Sequence, residues 1–420
     1  MYKQKDNTGS CAIARAGGDE SMRICMVAYT FYETDNRVRR YAETLVRRGD
    51  EVDAIVLRRE EQSSFDIIKG VNVYRIQRRV IDEGGPFSYL VKLLLFFVRS
   101  MWLLTLRHAK RPYDLIHVHS VPDFQVFSTL FPRLMGAKVI LDIHDIVPEL
   151  YASKFRISER SLPFRMLVLM EKLSVVYSNH MIVANHLWME RLGCRSGHPE
   201  KCTTILNYPD PVIFRSQPSK PRQDGEFVMC YPGTLSWHQG VDLIIDAMAR
   251  LGDKAPNLRL IIFGDGAERE RLTAMVKDYG LGDRVSIGGG IPIEQVASTM
   301  ASVDLGIEPK RKRSFGNEAL STKILEFMAV GVPVLASNTR INRMYFEDGL
   351  IGFFESEDID DLAAGILRLI EQPACASAMR ERGLKFIEEN NWNIKKHEYL
   401  DLVDGLVYGT VEERVEVETQ

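Results

Sequence analysis

The chain has 420 residues, room for two or three domains, and its 26% charged and 45% hydrophobic content excludes global disorder and a fibrous repeat. Lys and Arg total 54 against 57 Asp and Glu, a formal charge of −3, so there is no overall nucleic-acid footprint. The six cysteines (Cys11, Cys25, Cys194, Cys202, Cys230, Cys375) form no C-x-x-C pair, which argues against a zinc ribbon or redox pair and fits a reduced cytosolic chain.

Residues 1–22 are small and polar without an apolar h-region, so a disordered tail and no secretory signal are expected. RICMVAYTF at 23–31 reads as a buried strand. Asp35 can cap the helix that follows, where Val38, Tyr41, Leu45 and Val46 recur at helical spacing and Gly49 stops it. Asp35, Asn36 and Arg37 at that helix start either face an acceptor or serve simply as a cap. Strands follow at 52–57, 71–76, 115–120, 138–144, 180–185 and 202–207, with helical patterns between, which means a parallel sheet covered on both faces.

Residues 87–111, FSYLVKLLLFFVRSMWLLTLRHAKR, are almost long enough to cross a bilayer, but Lys92 and Arg99 interrupt the run on one face. Two readings stay open: a helix lying on an anionic membrane surface, or a helix packed on the first sheet with two snorkelling cations.

The proline-rich stretch 208–226 reads as an interdomain linker, after which the alternation restarts with strands at 227–233, 258–264, 285–288, 303–309 and 332–337. The chain therefore reads as two tandem α/β Rossmann-like, doubly wound domains, 23–207 and 227–392, facing a central cleft. A last helix at about 393–408 crosses back onto the first domain. Ligands in such sheets bind beyond the carboxyl ends of the strands.

The segment NEALSTKILEFMAVGVPVLAS at 317–337 carries the most chemistry. A helix over 318–330 would place Glu318 at its dipole-positive start and leave the N–H groups of Leu320, Ser321, Thr322 and Lys323 free for a diphosphate. Lys323 adds a point charge, and Glu326, two turns on, can accept from a ribose diol. The alternative is a capping Glu and a surface Glu on an ordinary helix.

With its E-x7-E spacing and F-M-A-x-G-V-P-V tail, this segment resembles the donor-binding signature of family 4 glycosyltransferases, retaining enzymes of the GT-B fold. YPGTLSWHQGVDLIIDA at 231–247, FGDGAERERL at 263–272, VDLGIEP at 303–309 and the 113–151 segment are similar to the same family, and the resemblance runs from residue 23 to about 400. It implies that Glu318 contacts the donor sugar, Glu326 the ribose, and Gly233 lets the backbone approach the diphosphate. It further implies that Gly264 and Asp265 line the nucleotide cleft, that Gly290 and Ile291 meet the base, and that His144 touches the transferred sugar.

The chain departs from the family pattern where an Arg and a Lys usually face the diphosphate, carrying Thr234 and Gln239 there. Lys323, or Lys310 and Arg311 from the basic run 310–313 closing on the donor, is expected to replace the missing charge; the alternative for that run is a solvated, mobile loop. His117 and His119 share one strand face. No third ligand follows at metal spacing, so no metal is expected.

The resemblance implies a metal-independent hexosyltransferase that uses a UDP- or GDP-linked sugar as co-substrate and needs no other cofactor. The acceptor would be a glycan or lipid-linked saccharide of surface-polysaccharide or glycoconjugate synthesis. The expected location is cytoplasmic, peripheral on the inner membrane face. Two rivals remain: a GT-B nucleotide-sugar epimerase or hydrolase, and a non-catalytic nucleotide- or membrane-binding relative.

Overall fold

In the first half, near-continuous runs of apolar and β-branched residues form an eight-stranded sheet: β1 (Arg23–Ala28), β2 (Glu51–Arg58), β3 (Phe65–Ile68), β4 (Val71–Arg78), β5 (Leu115–His119), β6 (Lys138–Ile143), β7 (His180–Val183) and β8 (Cys202–Thr204). The computed structural model describes residues 21–79, 86–155, 157–216 and 225–409. The strand order is β3-β4-β2-β1-β5-β6-β7-β8, parallel throughout except for β3, a four-residue, mostly exposed antiparallel edge strand too short to show in the sequence. The helices of this lobe are α1 (Asn36–Arg48), α2 (Pro86–Lys110), α3 (Leu130–Leu134), α4 (Val147–Phe155), α5 (Leu162–Tyr177) and α6 (His186–Ser196).

The second sheet comprises β9 (Phe227–Pro232), β10 (Leu258–Phe263), β11 (Val285–Gly288), β12 (Leu305–Glu308), β13 (Val334–Ser337) and β14 (Gly352–Phe354), all parallel in the order β11-β10-β9-β12-β13-β14. Its helices are α7 (Val241–Leu251), α8 (Arg269–Asp278), α9 (Ile293–Ala301), α10 (Thr322–Ala329), α11 (Arg340–Tyr345), α12 (Ile359–Glu371) and α13 (Pro373–Glu389). In each sheet the order reverses beside the first strand, between β1 and β5 and between β9 and β12, and a crevice opens there at the carboxyl ends.

A last helix, α14 (Trp392–Tyr408), belongs to the first lobe by packing: Trp392, Tyr399 and Val403 are fully buried in one cluster with Tyr41 and Leu45 of α1. The Trp392 indole N–H donates to Thr44 Oγ1 at 2.8 Å.

Three expectations change. The tail expected over 1–22 lies outside the described residues up to residue 20, but Met22 is core, with its N–H donating to Asp50 Oδ1 (3.1 Å). The linker is not free along its length: Phe214 is buried in the second core and Tyr208 is buried as well, while 217–224 lie outside the described residues. The helix expected over 318–330 begins only at Thr322.

Between the two readings of 87–111, the structure packs α2 on the first sheet through Leu93, Phe96 and Leu104. Its opposite side, including Leu94, Val98 and Trp102, remains exposed, and by length and composition the helix would suffice to cross a membrane.

Candidate active site

The start of α10 is set by the turn before it. Residues Ser314–Asn317 form a 3-10 turn, and the N–H groups of Glu318 and Ala319 are spent on Phe315 O, both at 3.1 Å. Ser321 then adopts an extended conformation as N-cap. The N–H groups without an intrahelical acceptor are therefore those of Thr322, Lys323 and Ile324: Thr322 and Lys323 are among the four donors the sequence implied, while Leu320 and Ser321 precede the helix.

This helix start opens into an interlobe chamber of about 420 Å³. From the second lobe come Thr234, Gln239, Lys310, Leu320, Ser321, Thr322 and Lys323; facing them from the first are His144, Asp145, Asn185 and Asn207. A second chamber of about 280 Å³ shares His144, Asn207 and Thr322 with it and takes in Asp35, Asn36, Arg37 and Glu326. Glu326, one turn after Thr322, thus faces the smaller chamber, where burial pushes its carboxyl up from the usual range.

The larger chamber is cationic. Lys323 lies with its ammonium 5.2 Å from the Tyr231 ring centroid, and burial beside Lys310 pushes its pKa down to about 8. Burial, with the same two lysines, holds His238, also in the lining, down at about 4. Gly233 lies against Lys323: its φ is +133°, and a Cβ there would sit 2.7 Å from Lys323 Cε. Thr234 and Gln239 supply no charge; Gln239 Oε1 accepts from the Tyr231 hydroxyl at 3.3 Å.

Only one member of the basic run reaches this space. Lys310 donates to Ala319 O at 2.8 Å and lines the chamber. Arg311 does not neutralise a phosphate here. Its guanidinium is buried in a bidentate pair with Asp242 (3.0 and 2.8 Å) and lies over the Trp237 ring. Lys312 and Arg313 pair with Glu355 and Glu357. Of the four adjacent cations, Arg311, Lys312 and Arg313 are docked by carboxylates from distant segments, and Lys310 alone is left to the chamber.

Glu318 is likewise redirected. It neither opens the helix nor lines either chamber; its carboxylate pairs with Arg191 of α6 at 2.7 Å and Arg340 at 3.5 Å. The Asn185 side chain, which caps α6, donates to Glu318 O at 3.0 Å. Glu318 therefore joins the lobes, and Arg191, Asn185 and Arg340 are partners that no local spacing revealed.

His144 follows β6 and lines both chambers, as its strand-end position suggested. Its Nε2 lies 3.1 Å from Asp142 Oδ2 and 3.1 Å from His119 Nδ1. Asp142 is fully buried, and Arg37 and the histidines hold its carboxyl well below the usual range against burial. Arg37 thus does not present its charge to an acceptor: it grips Asp142 through two bonds of 2.7 Å and donates to Ile205 O and Asn207 Oδ1. Asp35 accepts from the N–H groups of Arg37 and Val38, as a cap does, while lining the smaller chamber with Asn36.

Parallel pairing of β5 with β6 places Asp142 opposite His119, so a carboxylate does join His117 and His119, with ligand atoms within 4.8 Å. A cation there would have to displace the Arg37 guanidinium and the Tyr399 hydroxyl, 3.0 Å from His117 Nδ1.

The remaining predicted residues form a separate cluster at the ends of β10 and β11, outside the lining of both chambers. Asp265 accepts from Gly290 N–H at 3.0 Å and pairs with Arg269 at 3.1 Å; Ile291 follows. Gly264 connects this cluster to the chamber, packed so tightly on Gly233 that a Cβ would lie 1.9 Å from Gly233 O.

Two tandem α/β lobes with a cationic cleft at their strand ends define a class, and the family models name it. Residues 34–207 match the glycosyl transferase 4-like domain and 213–386 match glycosyl transferases group 1. The chain belongs to this group 1, family 4-like glycosyltransferase family of GT-B fold.

It is 30% identical over 186 residues to the GDP-mannose-dependent α-(1-6)-phosphatidylinositol monomannoside mannosyltransferase of Mycolicibacterium smegmatis, over 43% of this chain and 48% of that one. It is 24% identical over 324 residues to one component of human phosphatidylinositol N-acetylglucosaminyltransferase, over 75% and 61% respectively. The matches thus span about half to three fifths of these relatives' lengths. Sucrose-phosphate synthase from Thermosynechococcus elongatus shares the fold at TM-score 0.73 and 19% identity, covering 93% of this chain and 100% of that one. Anabaena HepE, solved with UDP and glucose, gives TM-score 0.70 and 18% identity, covering 92% and 100%.

Proposed function

We propose that this protein transfers a hexosyl group from a nucleotide-diphosphate donor to a glycan or lipid-linked acceptor with retention at the anomeric carbon. One observation carries the reading: free helix-start N–H groups at Thr322 and Lys323 and the ammonium groups of Lys310 and Lys323 converge in one interlobe chamber, opposite His144. Such a group of donors stabilises a departing diphosphate.

In the proposed step the acceptor oxygen bonds to the anomeric carbon on the face the diphosphate leaves. The carbon–phosphate-oxygen bond breaks with its electron pair going to the diphosphate, and the freed phosphate oxygen takes the acceptor's proton. Helix amides and lysines bear the new charge, so the step needs no metal. His144 positions the sugar between the chambers, Glu326 holds the ribose, and the Gly264–Asp265–Gly290–Ile291 cluster receives the base. Lobe closure excludes water from the donor.

The donor is UDP- or GDP-linked. HepE was solved with UDP, and the mycobacterial relative is named GDP-mannose-dependent. Two relatives are named for phosphatidylinositol acceptors, which favours a lipid-linked acceptor, and α2 would hold the protein peripherally on the cytoplasmic face of a membrane. Thermal stabilisation across a panel of UDP- and GDP-sugars should single out one donor. Proton NMR of the transfer product should then show the donor's anomeric configuration; an inverted product, or donor epimerised without acceptor, defeats the proposal.

A further inference from the structure

We infer that the membrane-facing surface is built from two helices, α2 and α5, and binds an anionic bilayer; this rests on the peripheral-membrane reading of α2 and extends it to an element that reading does not include. Both helices cover the same face of the first sheet, with Leu93, Phe96 and Leu104 of α2 and Val175 of α5 in one core cluster. The 3-10 segment Asp123–Thr129 is wedged between them. Phe124 packs its ring 5.9 Å from Phe97 of α2, and Phe127 lies 4.9 Å from Tyr177 of α5. Gln125 donates to Ser100 at 2.5 Å, and Thr129 Oγ1 lies 3.1 Å from the Tyr177 hydroxyl. The two helices are thus locked into one layer whose outer side faces away from the sheet.

That outer side is apolar on both. Leu94, Val98 and Trp102 of α2 are exposed at four-residue spacing, Trp102 to 65%. On α5, Met166, Leu169 and Leu173 are exposed, Met166 to 62%. An exposed apolar stripe on one helix is common, but a second on a helix bridged to it by the same 3-10 segment exceeds what a soluble surface ordinarily shows.

Charge selects the occupant. Helix α2 has no acidic residue and exposes Arg99 and Lys110. The single acid of α5, Glu171, is buried against Arg195 at 2.9 Å, leaving Arg165 and Lys172 outside. A surface of apolar side chains with cations alone complements an anionic lipid interface, whereas a two-fold contact with a second copy would oppose like charges.

Flotation of the full chain with phosphatidylcholine vesicles, with and without phosphatidylglycerol, tests this. The wild type should float with the anionic vesicles only. The pair Leu169→Glu and Leu173→Glu in α5, and separately Leu94→Glu and Val98→Glu in α2, should each lower the bound fraction at least tenfold while leaving the melting midpoint in place. Arg165→Glu with Lys172→Glu, which leaves the apolar stripe intact, should weaken binding as well. If the α2 pair abolishes binding and neither α5 variant changes it, the two-helix surface is wrong and the α2 reading stands. If the wild type ignores anionic vesicles, both fail. A wild-type dimer that the α5 pair dissolves, without vesicle binding, would reassign the face to self-association and overturn the inference.

Discussion

Lys323 shares a half-buried chamber with Lys310, and this sets a pH dependence. In the free chain its ammonium titrates near 8, while a bound diphosphate favours the charged form. Affinity for UDP or GDP should hold below pH 8 and weaken above it, by up to about tenfold per pH unit. Calorimetry from pH 7 to 9.5 checks this. Lys323→Met should remove the slope and cost about 10- to 100-fold in affinity, the range of a charge-assisted hydrogen bond. Buried histidines act on folding in the opposite direction. His117 and His119 are held below the usual imidazole range and His180 and His238 near 4, so the native state keeps them neutral where the unfolded chain binds protons. Stability is therefore complete above about pH 6.5 and falls as pH drops toward 5. Urea midpoints across that window should show it, and a flat profile would contradict the burial of these rings.

Helix α10 shows how one turn of displacement reassigns roles. Because the preceding 3-10 turn uses the N–H groups of Glu318 and Ala319, the open helix start falls at Thr322 and the Glu318 carboxylate turns to Arg191 across the cleft. If the pair acts as an interlobe clasp, Glu318→Gln and Arg191→Met should lower transfer rate by similar factors, and the double variant should lose no more than either single one. Additive losses would return Glu318 to direct sugar contact. The β9–α7 turn is equally constrained: Gly240, at φ +69°, would place a Cβ 2.1 Å from Pro309 O. Gly240→Ala should destabilise the second lobe by more than about 1 kcal/mol, read from denaturant midpoints.

At the scale of the whole molecule, the chain crosses between lobes twice. The segment from Asn207 to Phe214 leads out, and α14 returns to bury Trp392, Tyr399 and Val403 against α1. Tyr399 also touches His117, beside the Asp142 that steadies His144, so the chain's last helix bears on the cleft. Tyr399→Ala removes a fully buried aromatic and should cost about 3–5 kcal/mol, mostly in the unfolding of the first lobe. An unchanged denaturation profile would show that α14 is dispensable to that lobe.

Periodicity made the two parallel sheets, the crossing helix and the strand-end position of His144 legible, because burial on both faces writes itself into consecutive residues. The family signature likewise marked the α10 segment, Gly233 and the uncharged Thr234 and Gln239. Edge strand β3 and short β14 escaped, since three or four residues at a sheet edge leave no periodic trace. What lay beyond any local pattern was pairing between distant groups: Arg311 with Asp242, Arg37 with Asp142, Glu318 with Arg191. A charge in sequence announces only that it needs a partner. Which partner it finds depends on how the two sheets and their connections bring remote segments within 3 Å, and this is why Lys310 and Lys323 face the cleft while Arg311 and Glu318 do not.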